Sequence, residues 1–264
     1  MPKPEFAGKE TIVARITGLG PPVNERVAVV IPTLNEADSI GAVITELPRL
    51  FVDQIIVADG GSTDGTPQIA RGAGAEVIVV GPGYGRACLA GAEAAGQASA
   101  LVFMDGDGAD DPSAIEDMVS ALRSGNYDFV IGSRTRGKRE DSSMAGHQIL
   151  AGIVIGGLMR LLYGVLYTDM AALRAIRRAT LFQLGMREMT YGWNLEMQMR
   201  AASVGLRIVE IPIDYRRRSG GRSKVTGSLR GSIRASARII ATFFRVAIEG
   251  KRNNTRPAPH IRSV

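Results

Sequence analysis

The sequence predicts an α/β protein with a mostly parallel, doubly wound, Rossmann-like sheet flanked by helices. Short apolar runs typical of buried strands recur at intervals of roughly 25 residues through the first half of the chain. These runs are Val27–Ile31, Ile55–Ala58, Val77–Val80, Leu101–Met104 and Phe129–Ile131. Segments with helical spacing separate them, and the first of these has apolar residues at Ile40, Val43, Ile44 and Leu47. Alternating strands and helices are typical of βα units that build a parallel sheet.

Length and composition indicate one folded domain with flanking segments. The chain has 264 residues, of which 45% are hydrophobic and 22% charged, as in globular proteins. We expect residues 1–25 to form a loosely ordered N-terminal arm without a signal-peptide-like apolar segment, and residues 26–227 to form the main domain. We expect residues 228–264 to form a basic amphipathic helix with a disordered tail. The single cysteine, Cys88, excludes an intramolecular disulfide and fits a reducing compartment.

Charge is unevenly distributed along the chain, although the formal net charge is only +6. Nine Lys and Arg and no Asp or Glu lie between Arg216 and Ile248. Carboxylates concentrate instead between residues 36 and 141. This asymmetry predicts an acidic half that holds a metal ion and a basic half that meets phosphate, membrane or nucleic acid.

Two carboxylates, Asp105 and Asp107, follow the apolar run Leu101–Met104 directly. Open α/β sheets bind ligands at the carboxyl ends of their strands. Carboxylates on either side of Gly106 are suited to hold Mg²⁺ or Mn²⁺ against a diphosphate, because these ions prefer oxygen ligands. The alternative is an ordinary Asp-Gly turn after a strand.

Earlier strands also end in residues that suit a nucleotide. Strand 1 runs into Pro32-Thr-Leu-Asn-Glu36, and strand 2 into Asp59 and a glycine-rich turn. Asp59 can accept hydrogen bonds from a base or a ribose, whereas Ser62 and Asp64 suit helix capping equally well. The later segment 81–85 reads G-x-G-x-G rather than G-x-G-x-x-G, which disfavours a dinucleotide cofactor.

The order P-T-L-N-E, D-G-G-S-T-D-G-T and F-M-D-G-D-G-A-D-D-P resembles the family 2 glycosyltransferases with the GT-A fold. The resemblance continues through Ile131–Arg134, Thr168-Asp169, Gly192–Glu196 and Arg218–Lys224. Within the family, the pattern is similar to that of the dolichyl- or polyprenyl-phosphate mannosyl- and glucosyltransferases. The resemblance therefore implies a GT-A fold and sugar transfer from a nucleotide sugar.

The resemblance also implies a role for each matching residue. Asp105 and Asp107 are implied metal ligands, Arg134 is implied to place the donor sugar or phosphate, and Glu196 is a catalytic candidate. The implied donor-binding residues are Pro32, Leu34, Glu36, Asp59, Gly106, Arg218 and Lys224. Arg218 and Lys224 are the pair implied to close over the phosphates.

Three positions depart from the family pattern. Gly60 stands where many relatives have a second acidic residue, and Ala109 stands where the mannose synthases often have Gln as an additional metal contact. Asp110 or water could substitute for that contact. The tripeptide before Arg174 is Ala-Ala-Leu instead of Gly-Pro-Phe or Ser-Gly-Phe, which leaves sugar and acceptor selectivity open.

Residues 193–200 have helical spacing and leave two interpretations open. Glu196 could bind sugar hydroxyls or act as a base, or it could form an ion pair with Arg200 one turn later. Trp193 could stack on a ligand or pack in the core.

Two segments are typical of helices that lie on a membrane. Ile149–Leu166 carries one charge in 18 residues, and we expect an interfacial helix there rather than a membrane span or a core helix. In the second segment, Arg230, Arg234, Arg238 and Arg245 fall on one arc of a helix and most apolar residues on another. We expect this basic face to contact anionic lipid; the alternative is a helix packed on the domain with its basic face in water.

The sequence thus predicts inverting transfer of a hexose from GDP-mannose or UDP-glucose to a polyprenyl or dolichyl phosphate. The alternative is a soluble acceptor such as a sugar or phosphoglycerate, for which Asp110, Asp169 or Glu196 would be candidate bases. A nucleic-acid-binding protein is disfavoured, because the arginines are not interleaved with aromatic residues. We expect a cytoplasmic protein, peripheral at the inner face of the membrane, and homo-oligomers are compatible with the sequence.

Overall fold

The computed structural model describes residues 25–140, 143, 146–218 and 229–254. Nearly all of the expected N-terminal arm, Lys224 and the end of the expected tail lie outside these residues. The strands are β1 (Val27–Thr33), β2 (Gln54–Asp59), β3 (Glu76–Val79), β4 (Ala100–Phe103), β5 (Phe129–Ser133), β6 (Arg174–Arg177) and β7 (Ile208–Pro212). The helices are α1 (Ile40–Glu46), α2 (Thr66–Gly72), α3 (Tyr84–Ala94), α4 (Ala114–Arg123), α5 (Gly146–Tyr163), α6 (Arg178–Leu184), α7 (Trp193–Ser203) and α8 (Leu229–Asn254).

The described strands form one sheet in the order β3-β2-β1-β4-β6-β5-β7. All neighbouring pairs are parallel except those of β6, which is antiparallel to both β4 and β5. The predicted α/β class and the mostly parallel sheet are therefore confirmed. The first five strands lie where the apolar runs predicted them, whereas β6 and β7 were not predicted.

Apolar side chains cover both faces of the sheet. Every residue of β1 is buried, as expected for a central parallel strand. One core cluster packs α1 and α4 on one face, with Ile40 and Ile115 fully buried. The other cluster packs α3 and α7 on the opposite face and includes Phe103 and Trp193. Two covered faces make the strand ends the only part of the central strands that a ligand can approach.

Helix α5 lies against the domain with one side and leaves the other uncovered. Met159 is buried, whereas Ile153 is 65% exposed and Leu161 is 81% exposed. Among the described residues, no helix combines the length and the apolar character needed to cross a membrane. The segment is therefore neither a fully buried core helix nor, in this structure, a spanning helix.

Helix α8 does not direct all of its arginines away from the domain, contrary to our expectation. Thr242 and Val246 face the domain and are buried, whereas Ile240, Phe244 and Ile248 are more than half exposed. Two of the four arginines expected to face lipid, Arg238 and Arg245, form ion pairs with buried glutamates of the domain instead. The expectation was wrong for these two because acidic partners distant in sequence attract them. The side chains of Arg230 and Arg234 lie outside the described part of the helix.

Candidate active site

Parallel pairing brings the polar ends of three strands to one edge of the sheet. β1 lies between β2 and β4, and Thr33 is in register with Asp59 across the first pair. The connection from β1 leads to β2 on one side, and the connection from β3 returns to β4 on the other. This reversal is the topological switch point at which open α/β sheets bind ligands. Pro32 and Asp59 lie at this edge, and Asp105 follows the end of β4 by two residues.

Asp59 organises the turn that follows it. The carboxylate is 1% exposed and accepts hydrogen bonds from the backbone N–H groups of Gly61 (2.9 Å) and Ser62 (2.8 Å). It also accepts from the hydroxyls of Ser62 and Thr33. A turn role for Asp59 is therefore present in the structure, beside any contact with a nucleotide.

The loops after β1 and β2 are held together by side chains. The Asn35 N–H donates to Ser62 Oγ (2.7 Å), and Asn35 Oδ1 accepts from the Thr63 N–H (2.9 Å). The Glu36 N–H donates to Thr66 Oγ1 (2.8 Å). Asn35 has φ of 52°, a left-handed conformation that Asn adopts more readily than most residues. This cross-linked pair of loops places Leu34 and Glu36 beside the turn of Asp59.

The loop after β4 gathers buried carboxylates. Asp107 and Asp110 are each 3% exposed, and Asp107 Oδ1 accepts from the Ala109 N–H (3.0 Å). Burial, and then the charge of Asp107, raise the pKa of Asp105 to about 6. Burial, and then the charge of Asp105, raise the pKa of Asp110 to about 8. The three carboxylates repel one another, so the cluster is stabilised by any cation placed among them.

Gly106 lets this loop lie directly on β1. A Cβ at this position would come within 2.9 Å of Thr33 Cγ2, and the Gly106 carbonyl accepts from Ser39 Oγ (2.7 Å). The glycine thus has a packing role, and a larger residue would push Asp105 and Asp107 away from the sheet.

The donor set fits a divalent ion that is shared with a ligand. Among the described residues, no group of three or more His, Cys, Asp and Glu is arranged to hold a metal by itself. Mg²⁺ and Mn²⁺ at nucleotide sites take one or two carboxylates from the protein and the remaining ligands from phosphate and water. Asp105 and Asp107 would hold such an ion, whose charge would offset the burial and the charge of Asp107 that raise the pKa of Asp105.

Arg134 forms a bidentate ion pair with Asp169. Its Nε and Nη2 donate to the two oxygens of Asp169 at 2.7 Å each, and its backbone N–H donates to the same carboxylate. The guanidinium also lies over the ring of Tyr215, 5.0 Å from the centroid. Burial alone would lower the pKa of Arg134, but the hydrogen bonds and charge of Asp169 raise it. Asp169 is accordingly an anchor for Arg134 in this structure, and Nη1 is the part of the guanidinium outside the pair.

The segment after β7 crosses the carboxylate loop. The Arg216 N–H donates to the Ala109 carbonyl (2.8 Å), and Tyr215 forms a β-bridge with Asp110. At the end of this segment, Arg218 Nη2 lies 3.0 Å from Asp107 Oδ2. Arg218 is therefore placed at the carboxylates, as expected of a residue that closes over the donor phosphates.

Glu196 forms the ion pair with Arg200 that was the alternative to a catalytic role. Its side chain is fully buried and accepts from Arg200 Nε (2.9 Å), Arg245 Nη1 (3.0 Å) and two backbone N–H groups. Burial alone would raise the pKa of Glu196, but the backbone N–H groups of Glu188 and Arg187, followed by Arg200, lower it. A carboxylate that is already saturated with donors is poorly placed to act as a base, so the structure favours the ion pair over the catalytic role. Trp193, likewise, is fully buried and packs edge-on against Phe103.

Sequence reasoning missed the most buried cation near the site. Arg174 is fully buried and donates to three backbone carbonyls, those of Ala171, Ala172 and Asn194. Burial lowers its pKa, whereas Tyr84, Cys88 and Asp105 raise it. Its only sequence signal was the family-like position after residues 171–173, and nothing in that pattern indicated that the side chain is buried. Tyr215 and Glu188 carried no signal at all.

Comparisons with known proteins identify the relatives of this chain. The model of Glycosyl transferase family 2 matches residues 28–184. An uncharacterized glycosyltransferase of Mycobacterium tuberculosis is 37% identical over 225 residues, which cover 84% of this chain and 98% of that protein. The undecaprenyl-phosphate mannosyltransferase of Micrococcus luteus is 32% identical over 222 residues, covering 78% of this chain and 90% of that protein.

A solved structure has a similar fold. Glucosyl-3-phosphoglycerate synthase from Mycobacterium tuberculosis, in complex with Mn²⁺, uridine diphosphate and glucosyl-3-phosphoglycerate, superposes with a TM-score of 0.67 at 25% identity. The match covers 84% of this chain and 80% of that one.

Proposed function

Since the chain belongs to glycosyl transferase family 2 and has the predicted GT-A fold, we propose that it is a metal-dependent, inverting hexosyltransferase that uses a nucleoside diphosphate sugar. The observation that carries this proposal is the buried carboxylate cluster at the switch point, with Arg218 3.0 Å from Asp107. Asp105 and Asp107 would hold a divalent ion, which would supply Lewis-acid stabilisation of the diphosphate leaving group.

Different residues have different roles around the glycosidic bond that breaks in the donor. Asp59 and the loops after β1 and β2 bind the base and ribose, and Arg218 meets the charge that develops on the departing diphosphate. The acceptor oxygen attacks the anomeric carbon from the face opposite the diphosphate. The new C–O bond forms as the old one breaks, and the configuration inverts.

We propose a polyprenyl phosphate as the acceptor. An acceptor phosphate is already anionic at neutral pH, so it needs orientation more than a base. This agrees with a site in which Glu196 and Asp169 are both held by arginines. The uncovered apolar sides of α5 and α8 and the name of the Micrococcus luteus relative support the same proposal. The protein would then act at the cytoplasmic face of a membrane, held there peripherally.

A second candidate is transfer to phosphoglycerate. The observation that favours it is the likeness to a synthase whose structure contains glucosyl-3-phosphoglycerate. A glycerate hydroxyl must lose a proton during transfer, and Asp110, with its pKa raised to about 8, is the carboxyl group best suited to receive one.

One experiment separates these proposals. The purified protein is incubated with Mn²⁺ or Mg²⁺ and each of GDP-mannose and UDP-glucose, alone, with undecaprenyl phosphate or with 3-phosphoglycerate. We expect glycolipid only with the polyprenyl phosphate and only in the presence of metal. Product with 3-phosphoglycerate alone would favour the second candidate, and absence of transfer in every mixture would refute a hexosyltransferase.

A further inference from the structure

Two buried glutamates, Glu188 and Glu196, join α8 to the turn that precedes α7. Glu188 accepts from Arg238 Nε (3.0 Å) and from Thr242 Oγ1 (3.0 Å), both on α8. Glu196 accepts from Arg245 Nη1 (3.0 Å), also on α8. The two glutamate side chains are 4% and 0% exposed. Buried charges of this kind depend on their partners, because an unpaired carboxylate out of water is strongly unfavourable.

The same carboxylates hold the backbone of the turn at 187–190. Glu196 Oε2 accepts from the N–H groups of Arg187 (2.9 Å) and Glu188 (2.6 Å). Glu188 Oε1 accepts from the Thr190 N–H (3.0 Å). Helix α8 and the turn thus share both carboxylates, so a displacement of the helix moves the turn with it.

The 187–190 turn lies next to elements that form the candidate active site. The Met189 carbonyl accepts from the Arg86 N–H (3.0 Å) at the start of α3, and a Cβ on Gly85 would lie 2.2 Å from the Glu188 carbonyl oxygen. Beyond the turn, Trp193 packs on Phe103, the last residue of β4, with ring centroids 6.4 Å apart. β4 is the strand that delivers Asp105.

Three other buried polar atoms in this region, Tyr84 Oη, Trp193 Nε1 and Asn194 Oδ1, form no described hydrogen bond to the backbone of the turn. Tyr84 lies beside Asp105, since burial and then the charge of Asp105 raise its pKa. Residues 187–194 form a wall beside the carboxylate loop. Arg86 and Arg174 contact its backbone at Met189 and Asn194, and Glu188 and Glu196 are the carboxylates that link it to α8.

We propose that Glu188 and Glu196 are positioning residues, through which Arg238 and Arg245 of α8 set the 187–194 wall beside the carboxylates proposed to hold the metal. The inference rests on the proposed sugar transfer. A small displacement of a wall that orients substrate lowers the rate of reaction, because the reacting atoms lose alignment. Nucleotide affinity should be spared, because Asp59 and its turn are held by their own hydrogen bonds at the end of β2.

The test is the double variant Arg238→Gln/Arg245→Gln, measured in three ways with a water-soluble, short-chain polyprenyl phosphate as acceptor. We expect kcat to fall by about 10-fold or more, because misplacement near 1 Å can cost up to about 100-fold. The dissociation constant of uridine or guanosine diphosphate with Mn²⁺ should stay within about twofold of the parent value. Trp193 is the only tryptophan, so acrylamide quenching of its fluorescence should increase and report the displaced wall directly.

Arg207→Gln is the matched control. Arg207 forms a partly buried ion pair with Asp128 (2.7 Å), and none of its described side-chain contacts reaches α8 or the 187–190 turn. This variant should keep the parent kcat and the parent quenching. If the double variant does not fold, Thr242→Val removes one contact to Glu188 and should give smaller changes of the same sign.

The outcomes separate this inference from the proposed function. A parallel loss of kcat and nucleotide affinity would mean a general structural role and would overturn the positioning role, as would unchanged kcat and quenching. If the parent itself transfers no sugar, the proposed function fails. Trp193 quenching in the double variant then still decides whether α8 sets the wall.

Discussion

At the scale of single residues, the loop after β4 holds carboxylates that repel one another, and cations offset this repulsion. Burial and the charge of Asp107 raise the pKa of Asp105, and burial and the charge of Asp105 raise the pKa of Asp110. Asp107 is buried with one oxygen on its own loop and the other on Arg218. An arginine and a divalent ion are both suited to Asp107, and each lowers the cost of keeping its charge in the site.

Asp107→Asn should nearly abolish transfer while the fold survives. Asn retains the oxygen that accepts from the Ala109 N–H but removes the charge that holds the metal. We expect kcat/KM to fall by about 100-fold or more, as when a transition-state charge loses its stabiliser. Circular dichroism and the melting temperature should stay close to the parent values. Asp111→Asn, in the same loop but paired with Arg216, is the control and should remain active. Parent-like metal-dependent turnover in the first variant would contradict the metal assignment.

Arg218→Gln should change metal and nucleotide affinities in opposite directions. Without the guanidinium, Asp107 is free for Mn²⁺, so Mn²⁺ alone should bind about two- to fivefold more tightly, as befits an ion pair with a partly exposed arginine. Uridine or guanosine diphosphate with Mn²⁺ should bind about 10-fold more weakly, because a charged hydrogen bond to phosphate is lost. Electron paramagnetic resonance of Mn²⁺ and calorimetry measure the two affinities.

Arg216→Gln removes an equal charge from the same segment, where Arg216 pairs with Glu46 and Asp111. Both affinities should stay near the parent values in this control. Weaker binding of Mn²⁺ alone to Arg218→Gln would show that Arg218 does not compete for Asp107.

At the scale of elements, the sequence predicts strands that are continuously apolar and misses those that carry charge. β6 reads R-A-I-R, so no local apolar run marks it. Arg174 is buried against backbone carbonyls, and the half-buried Arg177 pairs with Glu25 and the Leu122 carbonyl. β7 contains Glu210, which accepts from the Thr168 N–H. The faces of α8 were misassigned for a related reason, since Glu188 and Glu196 lie some distance away in the sequence. The site residues at strand ends were predictable because strand order places them together.

Two neighbouring glycines of α5 should respond oppositely to alanine. A Cβ on Gly156 would lie 2.2 Å from the Tyr167 carbonyl oxygen, whereas a Cβ on Gly157 would meet nothing within 4 Å. Gly157→Ala should stabilise the protein by about 0.5–1 kcal/mol through helix propensity alone. Gly156→Ala should destabilise it, because the helix must move off the 167 backbone. Chemical denaturation of both variants measures the difference, and equal stabilisation would mean that α5 does not pack as described.

At the scale of the whole molecule, exposed apolar side chains concentrate on two helices that approach each other. The hydroxyl of Tyr163, at the end of α5, lies 3.8 Å from a Cβ built on Gly250 of α8. Leu158 and Leu161 are exposed on α5, and Phe244 and Ile248 on α8. From residue 142 to 168 and from 216 to 248 the chain contains no Asp or Glu. An apolar surface without acidic residues suits anionic lipid.

Membrane binding, if it anchors the protein, should therefore depend on the apolar stripe of α8 rather than on Arg238 and Arg245. Ile240→Ser/Phe244→Ser/Ile248→Ser should weaken binding to phosphatidylglycerol vesicles by about 10-fold or more, because a fully buried apolar side chain is worth about 1.5–3 kcal/mol. Leu50→Ser is the control, since Leu50 is 94% exposed outside both helices and should leave binding unchanged. Sedimentation with vesicles at low and high salt measures the effect, and salt should matter little because an apolar contact is not screened. If the triple variant binds vesicles fully at low salt and loses this binding at high salt, the arginines and not the apolar stripe bind the membrane.

If the parent protein binds no vesicles, the proposed membrane contact is refuted, and phosphoglycerate becomes the favoured acceptor.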